Sequence, residues 1–263
     1  MHLKIITWNI NSIRKRYKHV CKILKENNPD IICLQETKVV DDLFPESYFK
    51  NLGYNNILTS GQKSYNGVAI ISKIPIKKLT TVDWFGSSER RHVSVVLPKN
   101  IELHNCYFPA GGLEPDINSE KFAYKLKSFK KAANWSKSLT KGKKRILLGD
   151  LNIAPSENDV WSHEKLIKVV SHTPIEVEYY YKLLHSSDWC DAIRFNLGYK
   201  KKLYSWWSYR NINWKQENKG RRLDHIWVTK SLEKKILDIK MIKKTRGWKE
   251  PSDHIPILIK LDC

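Results

Sequence analysis

The sequence predicts an α/β protein in which two packed mixed β-sheets carry helices on their outer faces. Three observations carry this expectation. Short apolar runs rich in Ile, Val and Leu recur about ten times, each bounded by turn residues. Two long amphipathic stretches lie between such runs, and strand–helix–strand units occur in each half. Hairpin signals connect most of the remaining runs. No linker or low-complexity segment separates the halves, so residues 1–263 read as one domain with enough chain to bury a substantial core.

In chain order, residues 3–9 read as a strand ending at Trp8-Asn9. Ile13, Tyr17, Val20, Ile23 and Leu24 then share a helical face, with Ser12 as the expected cap and Asn28-Pro29 as the stop. Residues 30–36 form the second strand, which closes on Gln35-Glu36. Strands are expected near residues 55–60 and 67–72, and a hairpin from 92–97 to 101–107 around Pro98-Lys99-Asn100. Residues 120–139 have a helical pattern that includes Phe122, Leu126, Phe129, Ala133 and Trp135. The organising strand follows at Arg145-Ile146-Leu147-Leu148-Gly149-Asp150. Gly149 permits a close backbone approach. Asp150 and Asn152, two apart, are expected on one side of an extended segment, with Leu151 and Ile153 packing the other way. Residues 156–184 are irregular apart from an amphipathic run at 175–184, and residues 204–210 are the most aromatic segment. Strands at 223–229, 236–242 and 255–261 complete the chain.

Charge limits the partners. Lys+Arg 47 against Asp+Glu 27 leaves 47 − 27 = +20, which suits a polyanion. Nucleic acid is the first candidate and an anionic membrane surface the second. Cys21, Cys33, Cys106, Cys190 and Cys263 form no CxxC pair, and two of them sit in apolar runs. They read as reduced thiols of a cytoplasmic protein, not as a disulfide framework or zinc site. No signal peptide or membrane-length apolar stretch is evident.

Polar residues end strand after strand: Asn9, Glu36, Tyr107, Asp150 with Asn152, and Asp253-His254 before the last strand. Asp224 begins another. If those ends meet, the rim collects an oxygen-rich cluster suited to Mg²⁺ or Mn²⁺ and unsuited to zinc. Such a cluster fits phosphodiester hydrolysis. Asp150 is the expected base, Asn152 orients water or phosphate, and Tyr107 donates to the phosphate. His254 binds a phosphate oxygen when protonated, with Asp224 holding it in that state. Each also has a packing or turn reading when taken singly; the joint placement carries the argument. Trp206, Trp207, Tyr209 and Trp214 lie among Arg210, Lys215, Lys219, Arg221 and Arg222, a mixture that suits stacking or wedging beside phosphates. Trp207 is expected to be core.

These residues sit in motifs: Trp8-Asn9-Ile10-Asn11-Ser12-Ile13-Arg14, Leu34-Gln35-Glu36-Thr37-Lys38, Tyr107-Phe108-Pro109, Gly149 to Pro155, Tyr204 to Arg210, Arg222-Leu223-Asp224 and Ser252-Asp253-His254. In these the chain resembles the exonuclease III family of apurinic/apyrimidinic endonucleases, within the endonuclease/exonuclease/phosphatase superfamily. The resemblance implies a four-layered α/β sandwich. It implies a divalent metal held chiefly by Glu36 with Asn9, Asn11 and Asp253 nearby, in a wider set including Asp150, Asn152 and His254. For catalysis it implies Tyr107, Asp150, Asn152 and an Asp224–His254 pair; for DNA contact, Arg194, Trp206, Arg210, Arg221, Arg222 and Leu223. The implied activities are cleavage 5′ to abasic sites, 3′→5′ exonuclease action and removal of 3′ blocking groups. The implied partner is duplex DNA with abasic sites or blocked 3′ ends, without a membrane; a monomer is expected because the sequence has no heptad or repeat. Ser12 replaces a frequent Gly, Ala110 an Asn or Gln, Ser208 an Asp, and Arg221 a Trp or aliphatic residue of the abasic-site pocket. Alternatives are a superfamily phosphatase or phospholipid hydrolase, identified by phosphate or headgroup release from lipid, and a DNA-binding module without turnover.

Overall fold

The structure is a computed structural model in which residues 2–80, 82–86 and 89–263 are described. Its strands in chain order are β1 (His2–Asn9), β2 (Ile31–Gln35), β3 (Asn56–Ser60), β4 (Val68–Ser72), β5 (Lys77–Lys78), β6 (His92–Leu97) and β7 (Ile101–Tyr107). They continue with β8 (Arg145–Asp150), β9 (Trp189–Asp191), β10 (Trp206–Trp207), β11 (Gly220–Arg221), β12 (Asp224–Thr229), β13 (Ile236–Met241) and β14 (Ile257–Asp262). The helices are α1 (Ile13–Asn27), α2 (Glu46–Lys50), α3 (Glu120–Lys137), α4 (His163–Leu166), α5 (Pro174–Leu184), α6 (Ala192–Leu197), α7 (Trp214–Glu217) and α8 (Lys230–Glu233).

Alternation along the strands explains the layers. In β1, Leu3 and Ile5 enter the core between the sheets, whereas Ile6 and Trp8 face α1. In β2, Ile31 and Cys33 point inward while Ile32 and Leu34 point to the helices. The apolar run of β8 divides likewise: Ile146 and Leu148 go to the inter-sheet core, and Leu147 goes to the layer of α3 and α5. Strands buried on both faces therefore read as unbroken apolar runs. The expected α/β/β/α four-layered sandwich is found.

One sheet has the order β13-β14-β1-β2-β4-β3, the other β5-β6-β7-β8-β12-β9, and β10 with β11 forms a separate ribbon. Among the described residues, only β1 and β2 pair in parallel in the first large sheet, linked through α1, and only β7 and β8 in the second, linked through α3. The strands β14 and β12 run antiparallel to these pairs. The C-terminal ends of β1, β2, β7 and β8 thus lie beside the N-terminal starts of β12 and β14. A buried polar link fixes the height of one sheet against the other. Gln35 Nε2 donates to Thr7 Oγ1 (3.0 Å) and to Asn105 Oδ1 (2.6 Å), and Asn105 Nδ2 donates to the Leu34 and Ala69 carbonyls (both 3.0 Å).

Several details differ from the sequence expectation. Ser12 precedes α1 without a side-chain capping bond; its backbone lies at φ 88° and its N–H donates to the Glu36 carbonyl at 2.7 Å. The short strands β5, β9, β10 and β11 carry too few residues to show a period. Among the described residues no helix is long and apolar enough to cross a membrane.

Gly149 meets the close approach expected of it. Its φ is +132°, and a Cβ there would lie 1.9 Å from the Cys106 carbonyl oxygen on β7. Gly149→Ala is expected to lower stability by roughly 3 kcal/mol through overpacking and backbone strain. Urea unfolding of both proteins measures it, and an unchanged midpoint would mean that β7 and β8 separate freely.

Candidate active site

The rim where the strand ends meet gathers Asn9, Glu36, Tyr107, Asp150, Asn152, Asp224, Asp253 and His254. Register places Tyr107 and Asp224 on either side of Asp150. Past the strands the backbone turns sharply, with Asn11, Glu36, Lys38 and Asn152 at φ 45°, 50°, 53° and 54°. Left-handed backbone at non-glycine positions is costly and concentrates where function demands it. Asn152 corrects one expectation, since the strand ends at Asp150 and the chain then turns back. The Asn152 N–H donates to Asp150 Oδ1 at 2.9 Å, and its Nδ2 donates to the Phe108 carbonyl at 2.9 Å. A turn, not strand alternation, brings Asp150 and Asn152 together.

Asp150 is the hub. Asn9 Nδ2 donates to Asp150 Oδ2 and to Glu36 Oε1, both at 2.9 Å. His254 Nε2 lies 3.6 Å from Asp150 Oδ2, and His254 Nδ1 lies 2.7 Å from Asp224 Oδ2. Burial pushes the Asp150 carboxyl up, Asp224 and Glu36 add to the effect, His254 and Asn9 oppose it, and the result is about 7. Burial works against a charged His254, but Asp224 and Asp150 outweigh it and raise the imidazole to about 10. His254 is therefore a cation at neutral pH. Burial, then Glu36 and Asp150, push the Tyr107 phenol well up, so it stays a neutral donor. Asp253 is held below the usual carboxylate range: burial opposes this, and His254, Asn11 and Trp206 prevail.

Glu36, Tyr107, Asp150, Asn152, Asp253 and His254 of this rim line the floor of a cleft of about 920 Å³ whose walls include Trp161, Val170, Trp206, Arg210, Arg221 and Leu223. Trp206 Nε1 donates to Asp253 Oδ2 at 2.9 Å. Arg210 is exposed, Arg221 half-buried and Leu223 buried at the cleft edge. Trp207 is core, as expected. Two expected DNA contacts do not face the cleft. Arg194 is buried, paired with Asp159, and donates to the carbonyls of Gly198, Tyr199 and Lys201. Arg222 is buried between Asp159 and Asp191. Both guanidinium groups are committed to these internal carboxylates.

A family profile described as "Endonuclease/Exonuclease/phosphatase family" matches residues 6–254. Exodeoxyribonuclease III of Haemophilus influenzae is 30% identical over 97% of this chain and 98% of its own length. An exodeoxyribonuclease of Bacillus subtilis is 30% identical over 97% and 98%. The chain belongs to the endonuclease/exonuclease/phosphatase family, in its exodeoxyribonuclease III branch. An AP endonuclease from Archaeoglobus fulgidus superimposes with TM-score 0.92 at 33% identity, over 99% of this chain and 100% of that one. A 3′ phosphatase from Neisseria, bound to a product DNA hairpin, superimposes at 0.91 with 30% identity, over 99% and 100%.

The family is metal-dependent, and the oxygens around Glu36 fit a hard divalent cation. Lys38 Nζ lies 2.7 Å from Glu36 Oε2 and 2.6 Å from Asn11 Oδ1, so an ammonium already occupies a place where these oxygens favour positive charge. Asn11 also donates to Asp253 Oδ1 at 3.0 Å, which brings that carboxylate to the group. Ligand atoms of Asp150, Asp224 and His254 lie within 4.8 Å of one another as well. In this group His254 Nδ1 is bonded to Asp224, and its Nε2 lies beside Asp150. Asn9 faces both carboxylates with its amide nitrogen, while its oxygen accepts from the Asn11 N–H at 3.1 Å. It separates like charges here.

Sequence reading missed two supports in this family member. One is Lys38, whose signal was its place two residues after Glu36. The other is Lys125 on α3, fully buried, which pairs with Glu176 and donates to the Asn152 (2.8 Å) and Ala110 (3.1 Å) carbonyls. Its spacing in a Lys-rich helix carried no signal. The Asp159 hub gives a stability test. Asp159→Ala is expected to cost about 3–5 kcal/mol, because it strands the Arg194 and Arg222 charges in the interior. Arg210→Ala, at an exposed position, is expected to stay within about 0.5 kcal/mol of the parent by chemical denaturation.

Proposed function

We propose that this protein hydrolyses phosphodiester bonds of duplex DNA, cutting 5′ to abasic sites and trimming or unblocking 3′ ends. The observation that carries this reading is the buried Asp150 carboxyl, poised near neutrality between the Asn9 amide and the His254 imidazolium. The names of its exodeoxyribonuclease, AP endonuclease and 3′ phosphatase relatives support it. So does a cleft wall with Trp206 beside exposed Arg210, which favours nucleic acid over a lipid headgroup.

Asp150 receives a proton from the attacking water as its oxygen bonds to phosphorus. The bond from phosphorus to the 3′-oxygen breaks on the opposite side, and that oxygen leaves with a proton supplied by solvent. Asn152, fixed by its bonds to Asp150 and Phe108, leaves its side-chain oxygen to orient the water. The His254 imidazolium neutralises a non-bridging phosphate oxygen, and Asp224 keeps its ring oriented and charged. Tyr107 donates its phenolic proton to another oxygen. A divalent ion, Mg²⁺ or Mn²⁺, held by Glu36 with Asn11 and Asp253, supplies Lewis-acid stabilisation of the phosphate charge when bound.

An end-labelled duplex with one abasic-site analogue tests the proposal. With Mg²⁺ or Mn²⁺ a cut at the lesion is expected, abolished by EDTA. Asp150→Asn is expected to reduce the rate by about 10²–10⁴ through loss of proton transfer. Glu36→Gln is expected to raise the metal concentration needed for half-maximal rate. Intact DNA in both metals would reject the reading.

A further inference from the structure

Arg221 stands out among the cations of the cleft. Its Nη1 donates to the Val170 carbonyl at 2.8 Å and to Ser171 Oγ at 2.7 Å, which fixes the plane of the guanidinium. The group also lies over the Trp206 ring, 5.5 Å from its centroid. Yet among the described residues it pairs with no carboxylate, and its Nη2, unlike Nη1, donates to no acceptor. Glu176, the acid that acts on it from a distance, is already paired with Lys125. The next residue, Arg222, shows the ordinary solution, a buried guanidinium between two carboxylates. Arg221 is an immobilised, incompletely satisfied cation in the cleft wall. Desolvating such a charge without a partner is expensive unless a ligand completes it.

Its place relative to the catalytic floor is set by backbone pairing. Trp206 lies opposite Arg221 in the β10–β11 ribbon and opposite His254 through an isolated bridge. Rungs of a sheet are about 4.8 Å apart, so the Arg221 backbone stands about 10 Å from that of His254. All three residues line the same cleft. If a phosphate held by His254 directs its outer substituent, the group on the side away from the scissile 3′-oxygen, along this wall, that substituent meets Arg221. In an abasic site that substituent is a neutral sugar. In a 3′-phosphomonoester it is absent and the phosphate carries a second charge. In a 3′-phosphoglycolate it ends in a carboxylate.

We propose that Arg221 makes this cleft selective for 3′ ends carrying an extra negative charge, terminal phosphate or carboxylate, over the neutral sugar of an abasic site. The inference rests on the DNA phosphodiesterase reading above. The free edge of the guanidinium supplies charge-assisted hydrogen bonds to the extra anion, and the Val170 and Ser171 bonds hold it in position beforehand. No bond is made or broken by Arg221, so it acts as a specificity-determining residue.

The test uses three otherwise identical duplexes, with an internal abasic-site analogue, a recessed 3′-phosphate and a recessed 3′-phosphoglycolate. The parent, Arg221→Lys and Arg221→Met are compared by kcat/KM in Mg²⁺. Anisotropy in EDTA compares binding of each charged end with a 3′-hydroxyl end. For Arg221→Met, kcat/KM on the charged ends is expected to fall about tenfold relative to the abasic duplex, the effect of losing one charged contact. The binding preference for the charged ends is expected to fall with it, and Arg221→Lys to keep part of both. A fall on the phosphate alone would place the contact at the phosphoryl oxygens; a fall on the glycolate alone would place it at the carboxylate. An equal change on all three duplexes, with unaltered binding preference, would overturn the inference and leave the nuclease reading intact. Failure of the parent to cut any duplex would overturn both.

Discussion

The site depends on one buried carboxamide that joins the two sheets. Asn9 ends β1, and its Nδ2 reaches Glu36 in the same sheet and Asp150 in the opposite one. Without that donor two carboxylates would face each other in a low-dielectric pocket, where repulsion is poorly screened. The bond works only if the ends of β1 and β8 stay level. The Thr7–Gln35–Asn105 link lies beneath it, and Gly149 lets β8 approach β7 within a distance that any side chain would forbid. Packing geometry and site electrostatics are therefore one constraint.

A second network extends from that floor to the cleft wall. Lys125 holds the Asn152 carbonyl and pairs with Glu176; Glu176 accepts from the Ser171 N–H; Ser171 Oγ accepts from Arg221. A buried ion pair is a weak source of net stability, because desolvation offsets the attraction. Its effect here is positional. The loops that follow β7 and β8, the second carrying Asn152, are tied to the wall that a substrate substituent would meet. Arg221 and Arg222 show how a neighbour in sequence can have the opposite fate: alternate residues face opposite sides of the β11–β12 segment, one toward the cleft and the other toward Asp159 and Asp191.

Much of this was legible in the chain itself. The strand runs, the helices α1, α3 and α5, the two-sheet architecture and the polar strand ends follow from local periodicity and turn chemistry, which depend on near neighbours. Asn9, Glu36, Tyr107, Asp150, Asp224 and His254 were identifiable because each follows or precedes an apolar run, where a polar residue needs a reason. Only the tertiary structure decided what each does. It set Arg194 and Arg222 in a buried hub, turned Asn9 into a donor between carboxylates, placed Asn152 by a left-handed turn, and raised Asp150 to about 7. Those outcomes rest on burial and on partners as many as 246 residues apart, as in the Trp8 Nε1–His254 carbonyl bond. Desolvation and long-range pairing arise only when distant segments meet, so no local pattern encodes them.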